Sequence, residues 1–253
     1  METGKEEIHS AEDKTDVLYS FFEKNRKVFF ISGVVIIVLL AGFITALIVR
    51  DEAQKSATAR LDILVERYKE LKDISTESGT GEDDIAGDGI YEEEAAEEVA
   101  IADTEAFDSL LKDLRTLGNE AAGYPAARAW FMAADIYHER GEWQEARDAW
   151  LAAADKGGAA HITPVCLFNA AVAGEAAGDL DSALANYKKA LSFSDFPAAA
   201  HAQFSVGRIE ETRGDAESAI AAYRDLIDKW PAETEWTNLA HSRLIFLELP
   251  SNE

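Results

Sequence analysis

The chain has 253 residues, 47% of them hydrophobic, and a formal net charge of −24. So acidic a surface repels nucleic acid and anionic lipid head groups, and no basic patch offsets it, which excludes DNA or RNA as the main partner. The one cysteine, Cys166, excludes an intramolecular disulfide and a zinc cluster built on thiolates. It sits in an apolar helical pattern and reads as an inert buried thiol. Abundant alanine with only five prolines predicts an all-α fold.

Residues 1–27 are polar and lead into VFFISGVVIIVLLAGFITALIV, residues 28–49, without a single charge. At 1.5 Å per residue these 22 residues span a hydrocarbon core of about 30 Å, so 28–49 is predicted as a transmembrane helix. A cleaved signal peptide fits less well. The apolar run exceeds the usual 7–15 residues, and the A-x-A match at Ala57–Ala59 lies beyond Arg50, Asp51, Glu52 and Lys55. No cysteine directly follows the run, which argues against a lipoprotein. The tight Lys24, Arg26, Lys27 cluster places residues 1–27 in the cytoplasm and the remainder outside it. Gly42 and Ala46 form a small-xxx-small pair, a spacing that seats partner helices but also arises as lipid-facing filler.

Residues 50–123 are predicted as an N-terminal helical hairpin. One arm carries Leu61, Leu64, Val65, Tyr68 and Leu71 on a single stripe; the other carries Phe107, Leu110, Leu111, Leu114 and Leu117. Between them, residues 75–98 hold ten acids, four glycines and no base. That composition predicts an acidic disordered loop. It lacks the fixed ligand spacing of a calcium loop.

Residues 124–249 repeat themselves. Gly141-Glu142, Gly178-Asp179 and Gly214-Asp215 recur at spacings of 37 and 36 residues. Five residues after each glycine stands alanine (Ala146, Ala183, Ala219), and four further on an aromatic (Trp150, Tyr187, Tyr223). Seven before each glycine stands a small residue: Ala134, Ala171 or Gly207. The glycine suits the left-handed end of a first helix, and the acid after it suits the start of a second. The small residues permit close helix approach, and the aromatic fills the space between repeats.

This pattern resembles the tetratricopeptide repeat (TPR) family, W-x2-L-G-x2-Y followed by A-x3-F, A and P, over roughly residues 124–249. The resemblance implies an α-solenoid of about three TPRs, with the N-terminal hairpin before it and a C-terminal capping helix carrying Trp236, Leu239, Ala240 and Leu247. It also implies a protein–protein interaction scaffold whose groove is lined by the first helix of each repeat. On that face Phe131, Phe168 and Phe204 recur at one repeat position, with Asp135, His138, Asn169, Glu175, Arg208 and Glu211 as polar neighbours. Two readings stand side by side: a ladder of rings for an extended or helical peptide, or rings packed within the repeats and beneath the hairpin. No catalytic, cofactor-binding or metal-ligating residue is assigned. The five histidines are dispersed, with no H-E-x-x-H, P-loop, G-x-S-x-G or G-x-G-x-x-G.

The approach to the membrane, Phe21-Phe22-Glu23-Lys24-Asn25-Arg26-Lys27, followed by anchor, amphipathic helix and TPR hairpins, resembles the YfgM-type ancillary subunits of the bacterial SecYEG translocon. That resemblance implies a single-pass protein of the bacterial inner membrane with a periplasmic TPR domain. Its implied partners are the translocon, a membrane-bound periplasmic chaperone and exported chains. The acidic stretch 75–98 departs from that pattern. The competing expectation is a structural adaptor in envelope or cell-division assembly.

Overall fold

The computed structural model describes residues 23–79, 91–158 and 161–249. Among them every regular element is an α-helix: α1 (Arg26–Gly79), α2 (Tyr91–Glu120), α3 (Tyr124–Glu139), α4 (Trp143–Gly157), α5 (Ile162–Ala176), α6 (Leu180–Ala190), α7 (Ala199–Thr212), α8 (Ala216–Lys229) and α9 (Thr234–Glu248). They fall into two units, Met1–Ala53 and Gln54–Glu253.

In the first unit, α1 is long and apolar enough to cross a membrane. Its apolar side chains stand bare: Phe30 is 73% exposed, Leu39 67% and Phe43 60%. The polar hydroxyl of Thr45 is satisfied within the helix, donating to the Ala41 carbonyl at 2.9 Å. Residues 1–22 of the polar N-terminal segment lie outside the described residues.

In the second unit, residues from Gln54 onward in α1 run antiparallel to α2, with Arg60 on Glu120 at 2.8 Å and Arg67 on Asp113 at 3.0 Å. Leu61 and Leu64 meet Leu110, Leu114 and Leu117, and this seam joins Ala129, Met132 and Ala133 of α3 in one buried cluster. Part of the acidic window predicted as a loop is helical. Residues 75–79 close α1 and residues 91–98 open α2, while 80–90 lie outside the described residues. The run YEEEAAEE consists mostly of glutamate and alanine, strong helix formers. Local propensity outweighs charge density there.

Three hairpins follow: α3–α4, α5–α6 and α7–α8. Each turns on a glycine in the left-handed region: Gly141 (φ 71°), Gly178 (79°) and Gly214 (80°). At each, the residue after the glycine donates back to the carbonyl five before it, as in Asp179 to Gly174 at 2.8 Å and Asp215 to Glu210 at 2.9 Å. The glycine itself bonds three back, completing a Schellman closure. Asp179 and Asp215 then cap the second helices, accepting from the amides of Ser182 (3.1 Å) and Ser218 (3.0 Å). Glu142 makes no such bond; its side chain is one carbon longer than the Asx geometry accepts. Asp179 also takes Arg147 of α4 at 2.9 Å, tying one hairpin to the next. Asp179→Ala should therefore cost about 1 kcal/mol of unfolding free energy, while Glu142→Ala should leave the urea midpoint nearly unmoved.

Candidate partner-binding face

The first helices of the hairpins, α3, α5 and α7, carry the sequence-predicted groove residues. The rings of Phe131, Phe168 and Phe204 are each half-buried, but they do not form one file.

Phe131 packs against the two larger buried clusters, with the Arg128 guanidinium 5.2 Å from its ring centre. Its helix is met by α1: Tyr68 donates to Asp135, and Lys72 reaches both Asp135 and Glu139. Burial, followed by the Asp135 acceptor, holds the Tyr68 hydroxyl well above the ordinary tyrosine range. His138 lies between Trp143 and Trp150, its ring centre 5.2 and 5.4 Å from theirs. The first repeat's share of the predicted groove, Phe131, Asp135 and His138, is thus engaged within the protein. Asn169 is half-buried on α5.

From α5 onward the face changes. Phe168 stands edge-on to His201 at 4.9 Å, and His201 stacks flat on Trp236 at 4.0 Å and 12°. Phe204 flanks this file, 5.7 Å from Trp236 and 5.5 Å from Tyr223. Three successive helices, α5, α7 and α9, therefore contribute a continuous run of aromatic edges and faces.

Beside the rings runs a file of charge. Glu175 of α5 accepts from the Tyr187 hydroxyl at 2.7 Å and from Arg208 of α7. One repeat later Glu211 accepts from the Tyr223 hydroxyl at 3.1 Å and from both Nε and Nη2 of Arg243 on α9. Each carboxylate thus joins the second helix of its own repeat to the first helix of the next. Burial, then the neighbouring Glu211, pushes the Tyr223 hydroxyl up to about 12, so it remains a donor across the physiological range. Arg208, Glu211, Thr212 and Arg243 line an open depression of about 370 Å³. In the first repeat His138 and Trp150 hold the places of this Glu–Tyr pair, and the buried Trp150 Nε1 has no hydrogen-bond partner.

The sequence reading named Phe168, Glu175, Phe204, Arg208 and Glu211, which the structure gathers here. His201, Trp236, Arg243, Tyr187 and Tyr223 join them on this face, beyond the residues the sequence predicts. The recurring Tyr187 and Tyr223, each twelve residues after a recurring glutamate, carried a usable signal; the His201–Trp236 stack carried none.

Burial, then the Arg208 guanidinium, holds the His201 imidazole below its ordinary 6.5, against smaller upward pulls from Glu175 and Glu235. A base with a depressed folded pKa contributes stability that is complete above its unfolded value and declines as pH falls through the folded one. Stability should therefore decline as pH falls below about 6.5. His201→Gln should flatten that part of the curve of urea midpoint against pH.

Among the described residues no group of three or more His, Cys, Asp or Glu is placed to hold a metal ion. Burial pushes the Cys166 thiol up to about 12, so it stays protonated and inert.

Residues 105–161 and 168–234 match the sequence model of the tetratricopeptide repeat family. The chain is also similar to a TPR repeat-containing protein of Treponema pallidum (strain Nichols), 35% identical over 127 residues, or 50% of this chain and 53% of that one. The chain thus spans about half the length of the curated relative it matches. With the glycine turns, the small–aromatic pairs and the stacked hairpins, these matches show that residues 105–161 and 168–234 carry tetratricopeptide repeats, a repeat type whose stacked hairpins form protein-binding surfaces.

Proposed function

We propose that the protein is a single-pass membrane-anchored scaffold whose repeats engage other proteins on the far side of the bacterial inner membrane, beside the SecYEG translocon. There they assist exported chains or their hand-over to a membrane-bound periplasmic chaperone. The observation that carries the partner-binding part is the aromatic file Phe168–His201–Trp236 with its flanking ion pairs, on helices whose rings are only half-covered. The anchoring part is supported by the bare apolar surface of α1, the N-terminus-inside orientation by Lys24, Arg26 and Lys27. The export part rests on the resemblance of the membrane approach and domain order to the YfgM-type subunits. A tether confines repeats and partner to one surface, so weak contacts suffice.

A photo-crosslinking residue at Trp236 in the intact protein, activated in cells, tests the reading. Adducts with translocon subunits, a membrane-bound chaperone or nascent exported chains are expected. Adducts confined to envelope-assembly or division proteins would replace the export reading by that of a structural adaptor. Protease added to spheroplasts should digest the repeats; full protection would reverse the orientation.

A further inference from the structure

One ring holds three helices together at the aromatic file. His201 of α7 stacks flat on Trp236 of α9, ring centres 4.0 Å apart and planes 12° apart, and meets Phe168 of α5 edge-on at 4.9 Å. Of these three rings only the imidazole can take up a proton between pH 5 and 8. It is half-buried.

Three charged groups face it: Arg208 two turns along its own helix, Glu175 from α5, and Glu235 from the first turn of α9. Glu175 is already held by the Tyr187 hydroxyl and the Arg208 guanidinium. Glu235 is exposed, and water screens its pull. Tyr187, 5.4 Å behind Phe168, stays neutral, because burial raises its hydroxyl well above the ordinary range. An imidazolium in the stack would therefore give up hydration to the rings around it and stand near Arg208 with no carboxylate of its own. The indole face attracts a cation, but only while the ring forgoes that hydration.

We propose that His201 is an acid-released latch of the partner-binding face. As a neutral ring it closes Phe168, Trp236 and the start of α9 into one surface. Once protonated it leaves the stack for water on the Glu235 side, and the file parts between α7 and α9. The Arg243–Glu211 pair still holds the second half of α9, which confines the opening to its first turns. A partner lying over the file strips further water from His201 and so prefers the neutral ring. Its affinity should be flat above about pH 6.5 and fall below that by up to about tenfold per pH unit, the slope of one linked proton. This release rests on the partner-binding reading of the same face; the latch does not.

Two measurements test it. The first is an NMR titration of the full chain in detergent micelles, with histidine and tryptophan labelled and signals assigned by their loss in His201→Gln and Trp236→Phe. His201 should titrate below pH 6.5, and the Trp236 indole N–H signal should move with the same midpoint. A His201 midpoint at or above 6.5, or a Trp236 signal indifferent to it, would overturn the latch. The second places a photo-crosslinking residue at Thr212, exposed beside the file, in broken cell membranes whose two faces meet the same buffer. The yield of protein adducts should drop several-fold from pH 7.5 to 5.5. In His201→Phe, whose ring never charges, the ratio of the two yields should stay near one. An equal drop in both proteins would overturn the release. Absence of adducts at every pH would count against the partner-binding reading instead, and the NMR titration alone would then decide the latch.

Discussion

Tyr223→Ala should lower the unfolding free energy by about 3–5 kcal/mol, the range for truncating a large buried aromatic. The ring is fully buried between α7 and α8 and is the largest member of a cluster completed by Ala219, Leu226 and Ala240. It rests against Gly207, whose missing side chain makes room for it, and its hydroxyl donates to Glu211. Tyr223→Phe keeps the ring and loses only that bond, for about 1 kcal/mol. Gly207→Ala approaches the same contact from the other side. The added methyl must displace the ring, for about 1–3 kcal/mol, although alanine is the better helix former. Urea unfolding followed by tryptophan fluorescence measures all three. A cost below about 1 kcal/mol for Tyr223→Ala would show that the ring does not hold the hairpin together.

Val38→Arg combined with Leu39→Arg should release the protein from membranes. The two positions lie at the centre of the apolar run, and an arginine at the middle of a membrane helix costs about 2.5–3.5 kcal/mol of insertion. Extraction of cell membranes at alkaline pH should leave the wild-type chain in the pellet and the double variant in the supernatant. Release of the wild-type chain would remove the anchor from the proposed function. The repeats should keep their melting temperature in the released variant, because the substituted residues belong to the first structural unit.

The hairpins were legible because each requirement recurs at a fixed distance from one glycine. A positive φ at Gly141, Gly178 and Gly214 admits little else, and the Gly207–Tyr223 contact explains why a small residue and a ring keep their spacing. The start of α2 was misread because ten acids in one window outweighed the helix-forming tendency of the glutamates and alanines themselves. The phenylalanine positions were read correctly as recurrent, but recurrence alone does not separate a lining ring from a packed one. Phe131 differs from Phe168 because Tyr68 and Lys72 of α1 meet its helix, a contact between distant segments that no repeat spacing encodes. The His201–Trp236 stack joins residues on α7 and α9 that share no motif. Arg243 on Glu211 could be read as a repeat of Arg208 on Glu175 only once the helices were aligned in space.

The buried clusters shrink along the chain. The first holds eighteen residues, the second fifteen and the last four. In a linear array each repeat gains its stability chiefly from its neighbours. Opening should therefore begin at the C-terminal end, with α9 fraying first and the helices around Leu110 and Leu114 last. Amide hydrogen exchange would record this as a gradient of protection falling from α3 toward α9. Proteolysis under native conditions should for the same reason nick the chain first near α9 and spare the seam around Leu110 and Leu114 longest.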